Sequence, residues 1–395
     1  MLNKILGSIF LISGTSIGAG MLAIPIKLSG ISFGASTLIF FVSWILMLIS
    51  SFAMLEISLW TNTNGNIQSI GSLFFNKNFS IIISTIYILF FYSLIIAYIS
   101  GSYSILSSSL NHKTKIIYKI LFILPFCLIN FYGLKIIDNI NKLFVLSMLL
   151  SYIVLSYYVL NDYDYNKLNK KLHFMNNNLI LLALPIMITS FGYNLLIPSL
   201  KKYLLNNTKY LITVIIIGSL IPLLIYTIWD YTMSFFLVNL DNKNFIQSFI
   251  YLENKTISTS AIIPHNKYIT QSIFIFSLTA LISSLIGVSL NLYDFIFDLI
   301  KITKTTINKC IVLSSVFLLP LVFNIYFSYI FITALTYAAI FASILLIILP
   351  IFILWYGRHI KKLEYKYILS NNEYLLFFIL FFGIFIILID LIEKF

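Results

Sequence analysis

The chain has 395 residues, 60% of them hydrophobic and 10% charged, with a mean hydropathy of +1.00 and a formal net charge of +12. Soluble domains average about 25% charged residues, so these values exclude an ordinary soluble enzyme, a disordered chain and a disulfide-stapled secreted domain. A spanning helix needs about 20 apolar residues, and a chain this apolar reads as an all-α polytopic membrane protein.

Apolar runs bordered by polar residues, Gly, Pro or Asn predict eleven spans, numbered 1 to 11 in chain order. They lie at about 5–27, 34–58, 80–103, 116–133, 143–160, 178–199, 210–231, 270–293, 310–327, 331–355 and 373–392. The first resembles a signal peptide, with Lys4 before an apolar core, but it runs on through Met21, Leu22, Ile24 and Ile26 without a polar break. It is therefore expected to be a retained helix. The runs are apolar all round, so no hydrophobic face is expected on any of them. The longer connections fall at about 161–177 and 232–269, and the second, with Asp241, Glu253, Pro264 and His265, is expected to carry a short helix over the outer mouth. No linker divides the chain, which reads as a single transmembrane domain over 1–395.

The basic residues fall between the apolar runs, as at Lys135, Lys142, Lys201, Lys202, Lys301 and Lys304, and form no stripe. Such residues anchor helix ends, and no nucleic-acid partner is expected. With a cytoplasmic N-terminus, 14 of the 25 Lys and Arg fall on the inside, a weak bias in the expected direction. Cys127 and Cys310 lie far apart and read as small apolar fillers rather than a disulfide.

The densest chemistry is in span 1, at Gly14-Thr15-Ser16-Ile17-Gly18-Ala19-Gly20-Met21. Each glycine weakens a helix by about 1 kcal/mol relative to Ala. Gly14 and Gly18 have the spacing of a close-packing face. The alternative is a discontinuous helix, since irregular backbone at membrane depth survives only where it lines a cavity or is buried in protein. N–H groups around Gly18 to Gly20 would then receive a carboxylate at the positive end of the second half-helix. Span 6 carries a second interruption: Pro185, then Thr189-Ser190-Phe191-Gly192-Tyr193-Asn194, then Pro198. Breaks five spans apart are what a five-plus-five inverted repeat produces, with substrate held between them near the midplane. The repeats would run over about 5–160 and 178–355, with an extra helix at about 373–392.

Glu56, Asp230, Asp294, Asp298 and Asp390 sit toward the ends of their predicted spans, and His112, His173, His265 and His359 lie in loops or borders. No proton relay or metal cluster crosses the bilayer centre, which suits a neutral or zwitterionic solute held by backbone dipoles and hydroxyls. Glu56 is either a gating or proton-linked carboxylate or an interfacial acid near Trp60. Asp294 and Asp298, with Lys301 following, read as a solvated helix end. Ser283 and Ser284 in span 8 either bond back to their own helix or face the span 1 break and help hold substrate or a coupling cation. Tyr98 in span 3 is a candidate phenol for a substrate carboxylate.

Gly14 to Pro25 resembles the first-helix motif of the bacterial hydroxy and aromatic amino acid permeases, the family of tyrosine-specific and tryptophan-specific transporters. Similar motifs follow in order at Met54-Leu55-Glu56, Ala97 to Gly101, Thr189 to Gly192, Ile197-Pro198-Ser199, Leu285 to Leu290 with Asp294, and Thr333 to Ala338. The resemblance implies eleven spans, the inverted-repeat fold of the amino acid–polyamine–organocation superfamily, and proton-driven uptake across the bacterial inner membrane, with the nearest likeness to tyrosine transporters. One departure stands out: where the family usually carries a His followed by small residues after the span 6 motif, this chain has Asn194-Leu195-Leu196.

The expected function is therefore import of an aromatic amino acid, tyrosine first, by proton symport, with no enzyme activity and no cofactor beyond the coupling ion. Candidate substrate contacts are Gly14, Thr15, Gly18, Ala19, Gly20, Tyr98, Thr189, Ser190, Phe191 and Gly192. Glu56, Ser283, Ser284 and Asn194 are candidates for coupling or gating. The alternatives are a sodium-coupled or other amino acid permease, a channel, and a membrane-embedded enzyme or polymerase for lipid-linked sugars. The last needs clustered Arg or Asp/His in a long external loop, and the chain holds one Arg.

Overall fold

The computed structural model describes residues 2–18, 20–28, 31–60, 77–109, 116–132, 134–162, 177–239, 267–327, 330–363, 368–369 and 372–392. Their regular structure is helical throughout, as a bilayer demands of a chain that must satisfy its backbone groups internally. Span 1 is two half-helices, 1a (Leu2–Ser16) and 1b (Gly20–Leu28). Span 2 is Phe33–Trp60, span 3 Lys77–Ser109, span 4 Ile116–Tyr132 and span 5 Leu134–Asp162. Span 6 consists of 6a (Asn177–Ser190), a 3-10 turn at Asn194–Leu196 and 6b (Ile197–Tyr203). Span 7 is Thr208–Asn239, span 8 Lys267–Ile300 and span 9 Thr306–Tyr326. Span 10 runs from Phe331–Ala342 through a π-helical segment, Ser343–Ile348, into Leu349–His359, and span 11 is Glu373–Ile392. Among the described residues, 8 helices are long and apolar enough to cross a membrane by themselves, and the broken span 1 and the shorter spans 4 and 11 complete the eleven.

Several helices outrun the apolar windows that announced them. Span 3 continues to Ser109, span 5 begins at Leu134 and span 7 reaches Asn239. Hydropathy reports the hydrocarbon slab, whereas the hydrogen-bond ladder continues into the interface. Span 7 corrects one expectation. Asp230 is not at a helix end but nine residues inside one, 4% exposed, and it accepts a hydrogen bond from Ser36 Oγ.

The chain divides into two compact units, Met1–Leu89 with Phe174–Asp230 and Ala338–Phe395, and Phe90–His173 with Tyr231–Tyr337. The first unit draws spans 1 and 2 from one expected repeat and spans 6 and 7 from the other, together with most of span 10 and span 11. In it, 1b packs on 6a, and span 2 packs on 6a, 6b and the end of span 10, around Phe40, Met47, Ile188, Val214 and Leu346. The second unit is built on spans 5 and 8, which lie along each other, with Tyr158 stacked on Tyr268 at 5.0 Å. Asn130 Nδ2 donates to Ser289 Oγ at 3.0 Å and ties span 4 to span 8, while Asn324 Nδ2 donates to Ile96 O at 3.2 Å and ties span 9 to span 3. Cys127 and Cys310 are free thiols. The connection carrying Asp241, Glu253, Pro264 and His265 lies outside the described residues, as do His112 and His173.

Candidate functional site

Two helix breaks meet in the first unit. In span 1, Ile17 N–H still donates to Ser13 O at 2.8 Å, but Met21 N–H turns back to Gly18 O at 3.0 Å. In span 6, Gly192 N–H donates to Thr189 O at 3.1 Å and Tyr193 N–H to Phe191 O at 2.9 Å, short turns in place of the α ladder. Each break is a consequence of local sequence: glycines at 14, 18 and 20 in one, and Pro185, Gly192 and Pro198 around the other. A Cβ on Gly192 would stand 2.8 Å from Thr189 O, so this turn admits no side chain without shifting.

Gly20 brings the breaks together. A Cβ there would lie 2.5 Å from Ser190 Oγ, 3.0 Å from Ser190 Cβ and 3.3 Å from its Cα. The start of 1b therefore rests on the end of 6a through a residue with no side chain. Gly14 differs: it is exposed, and nothing comes within 4 Å of its Cβ position. The close-packing face suggested by the Gly14 and Gly18 spacing is thus absent at Gly14, and the tight contact is made six residues on.

The hydroxyls of both breaks turn back onto their own helices. Thr15 Oγ1 donates to Leu11 O and Ile12 O, both at 2.9 Å, Thr189 Oγ1 to Pro185 O at 3.1 Å, and Ser190 Oγ to Ile186 O at 2.9 Å. This leaves backbone groups as the polar material of the breaks. Phe191 is fully buried, with its ring edge-on to Tyr226 at 5.2 Å. Ala19 lies outside the described residues. Span 7 supplies two partners that sequence reasoning missed. Tyr226 OH donates to Ser16 O and, at 2.9 Å, to Ser190 O, and Trp229 Nε1 donates to Met21 O at 2.8 Å. Their only sequence signal is a Tyr and a Trp three apart in an apolar helix, which among 26 tyrosines is none.

Glu56 and Asn194 lie elsewhere in the same unit. Arg358 grips Glu56 with both prongs, Nε to Oε1 at 2.8 Å and Nη2 to Oε2 at 2.7 Å, with both side chains buried (1% and 0% exposed). Arg358 Nη2 also donates to Leu369 O at 3.1 Å, and Ile368 N–H donates to Glu56 Oε2 at 2.9 Å. The pair joins spans 2 and 10 to the segment before span 11. Trp60 packs over Gly357 beside it. The interfacial acid near Trp60 is thus an internal ion pair.

Asn194 bridges spans 2, 6 and 10. Its Nδ2 donates to Ser50 Oγ at 3.1 Å and Leu346 O at 3.0 Å, and its Oδ1 accepts from Ser51 Oγ at 2.6 Å. Leu346 lies in the π segment, whose wider turn displaces backbone carbonyls from the regular ladder. Asn194→Leu is expected to remove all three of these bonds, leaving Leu346 O to Ser50 Oγ alone and Ser51 Oγ to Met47 O alone, and to destabilise by about 1–3 kcal/mol, read as a lower melting temperature of the purified protein.

Tyr98, Ser283 and Ser284 belong to the second unit. Tyr98 is buried and stands one turn before Gly101, whose Cβ position is 3.0 Å from Phe331 Cδ2 and 3.1 Å from Leu281 Cδ1. Ser283 and Ser284 are half-buried in span 8. Asp294 pairs with Lys304 at 2.7 Å on an exposed helix end, and this carboxylate holds the Lys304 ammonium above its usual range. Asp298 is exposed there.

A helical membrane domain with paired breaks in its first and sixth spans is a transporter fold. Crystal structures of a manganese transporter from Eremococcus coleocola share it, with a TM-score of 0.62 over 99% of this chain and 86% of that one at 12% identity. The chain belongs to the tryptophan/tyrosine permease family, which it matches over residues 1–390. It is 32% identical to Tyrosine-specific transport system 1 of Haemophilus influenzae, over 92% of this chain and 91% of the relative. It is 27% identical to Tyrosine-specific transport system 2 of the same organism, over 99% and 97%. The protein is accordingly a multi-pass permease of the bacterial inner membrane and not an enzyme, and the lipid-linked sugar reading falls away.

Proposed function

We propose that the protein imports an aromatic amino acid, tyrosine first, by proton symport with alternating access, its N-terminus in the cytoplasm. The observation that carries this reading is the meeting of the two breaks at Gly20 and Ser190 in a chain of this family. The substrate carboxylate meets N–H groups around Gly18 and Gly20, at the positive end of 1b. The ammonium group meets carbonyls of Thr189 to Phe191, at the negative end of 6a. A zwitterion is thereby held without a formal charge in the protein, which agrees with hydroxyls already engaged by their own helices. A tyrosine phenol given a buried hydrogen-bond partner would be favoured strongly over phenylalanine.

Tyrosine is placed ahead of tryptophan because both relatives described above are named for it. Glu56 and Asn194 act as internal ties, since each is saturated by partners within its unit. The test is uptake of labelled tyrosine by cells expressing the chain, in competition with Trp, Phe and Leu, with a proton uncoupler in one arm and sodium removed in another. Tyr should compete best and the uncoupler should abolish uptake. Competition led by Leu, or dependence on sodium, would refute the substrate or the coupling ion respectively.

A further inference from the structure

Each break ends on a carbonyl that an uninterrupted helix would pair four residues on, Ser16 in 1a and Ser190 in 6a. Both oxygens lie within hydrogen-bonding reach of one side-chain group, the Tyr226 hydroxyl. A phenol has one hydrogen, so two helix C-termini share a single donor. The ring cannot easily swing away. It is fully buried, with Phe191 edge-on at 5.2 Å and Phe40 of span 2 at 6.2 Å. One turn later Trp229 holds Met21 O of 1b. Span 7 thus grips 1a, 1b and 6a through two residues of one helix face.

Carbonyls at the C-terminal ends of two helices carry like partial charge and repel one another unless a donor stands between them. We propose that Tyr226 is a positioning residue for the transported amino acid: its hydroxyl holds the Ser16 and Ser190 carbonyls at a fixed spacing, so that the carbonyl cluster that receives the substrate ammonium is formed before substrate arrives. This rests on the reading that the ammonium group is received at the breaks. Pre-organisation of this kind improves affinity by removing an ordering cost from the binding step. A tie that served the fold alone would affect melting and leave the affinity of the folded protein unchanged.

The experiment is equilibrium binding of labelled tyrosine to purified wild type and Tyr226→Phe, with a melting curve for each. The Phe variant is expected to bind about tenfold more weakly, the loss of one hydrogen-bonded donor, with its melting temperature lowered by only a few degrees. An unchanged Kd, whatever the melting temperature, overturns the proposal. If the Phe variant does not fold, 3-fluorotyrosine placed at 226, a stronger donor of nearly the same shape, should tighten binding, and an unchanged Kd there overturns it equally. Wild-type protein that binds no aromatic amino acid refutes the site reading itself, which separates that failure from failure of the role given to Tyr226.

Discussion

Gly20→Val is expected to abolish uptake while the protein still inserts and accumulates in the membrane. The smallest part of the new side chain, its Cβ, would fall 2.5 Å from Ser190 Oγ and 3.3 Å from the Ser190 backbone. Rotating the hydroxyl away relieves the first contact but not the second, so the half-helices must part. Overpacking of this kind costs about 1–3 kcal/mol, which eleven spans can absorb in stability. The site cannot absorb it, because a misplacement of about 1 Å in a pre-organised site is felt as a loss of order 100-fold. Gly20→Ala should fall between, and Ser190→Gly should restore part of its transport by removing the Oγ and Cβ it meets. Gly20→Val transporting at the wild-type rate would show that the meeting of the breaks is incidental.

The second large effect concerns stability. Glu56→Ala leaves the Arg358 guanidinium buried without its carboxylate, and removing one member of a buried pair costs about 3–5 kcal/mol. The variant should lose most of its folded fraction in detergent, read by size-exclusion chromatography. The Ile368 and Leu369 N–H groups that donate to the carboxylate would be left short as well. Replacing both members with apolar residues, Glu56→Leu with Arg358→Met, is expected to recover much of the loss, since apolar pairs often match buried ion pairs in stability. Recovery of stability without recovery of transport would assign the pair a part in the transport cycle. A single Glu56→Ala variant as stable as wild type would contradict the buried pair outright.

The spans were legible because a bilayer imposes apolar length, and the breaks were legible because Gly and Pro weaken helices wherever they fall. What stayed hidden depends on partners distant in sequence. Glu56 and Arg358 are 302 positions apart, and nothing near Glu56 marks it as paired, so a gating carboxylate and a structural one looked alike. The π segment at Ser343–Ile348 reads as plain apolar helix, Ser-Ile-Leu-Leu-Ile-Ile, yet its Leu346 carbonyl explains Asn194. At 194, where the resemblance leads one to expect a His, this chain has an amide whose donors and acceptor are taken up by spans 2 and 10. Asp230 was misplaced because hydropathy falls before the helix ends. Tyr226 was lost among many tyrosines, since hydrogen-bonding to two helix ends is a property of three-dimensional register.

We propose that the paired breaks in spans 1 and 6 let this chain carry an aromatic amino acid together with a proton. Purified protein in liposomes tests it most directly, with labelled tyrosine outside and an imposed pH gradient. Tyrosine should accumulate when the outside is acid, the accumulation should collapse on adding an uncoupler, and replacing sodium by potassium should change nothing. Failure to accumulate tyrosine, tryptophan or phenylalanine under any imposed gradient, from protein shown to be folded, would contradict it.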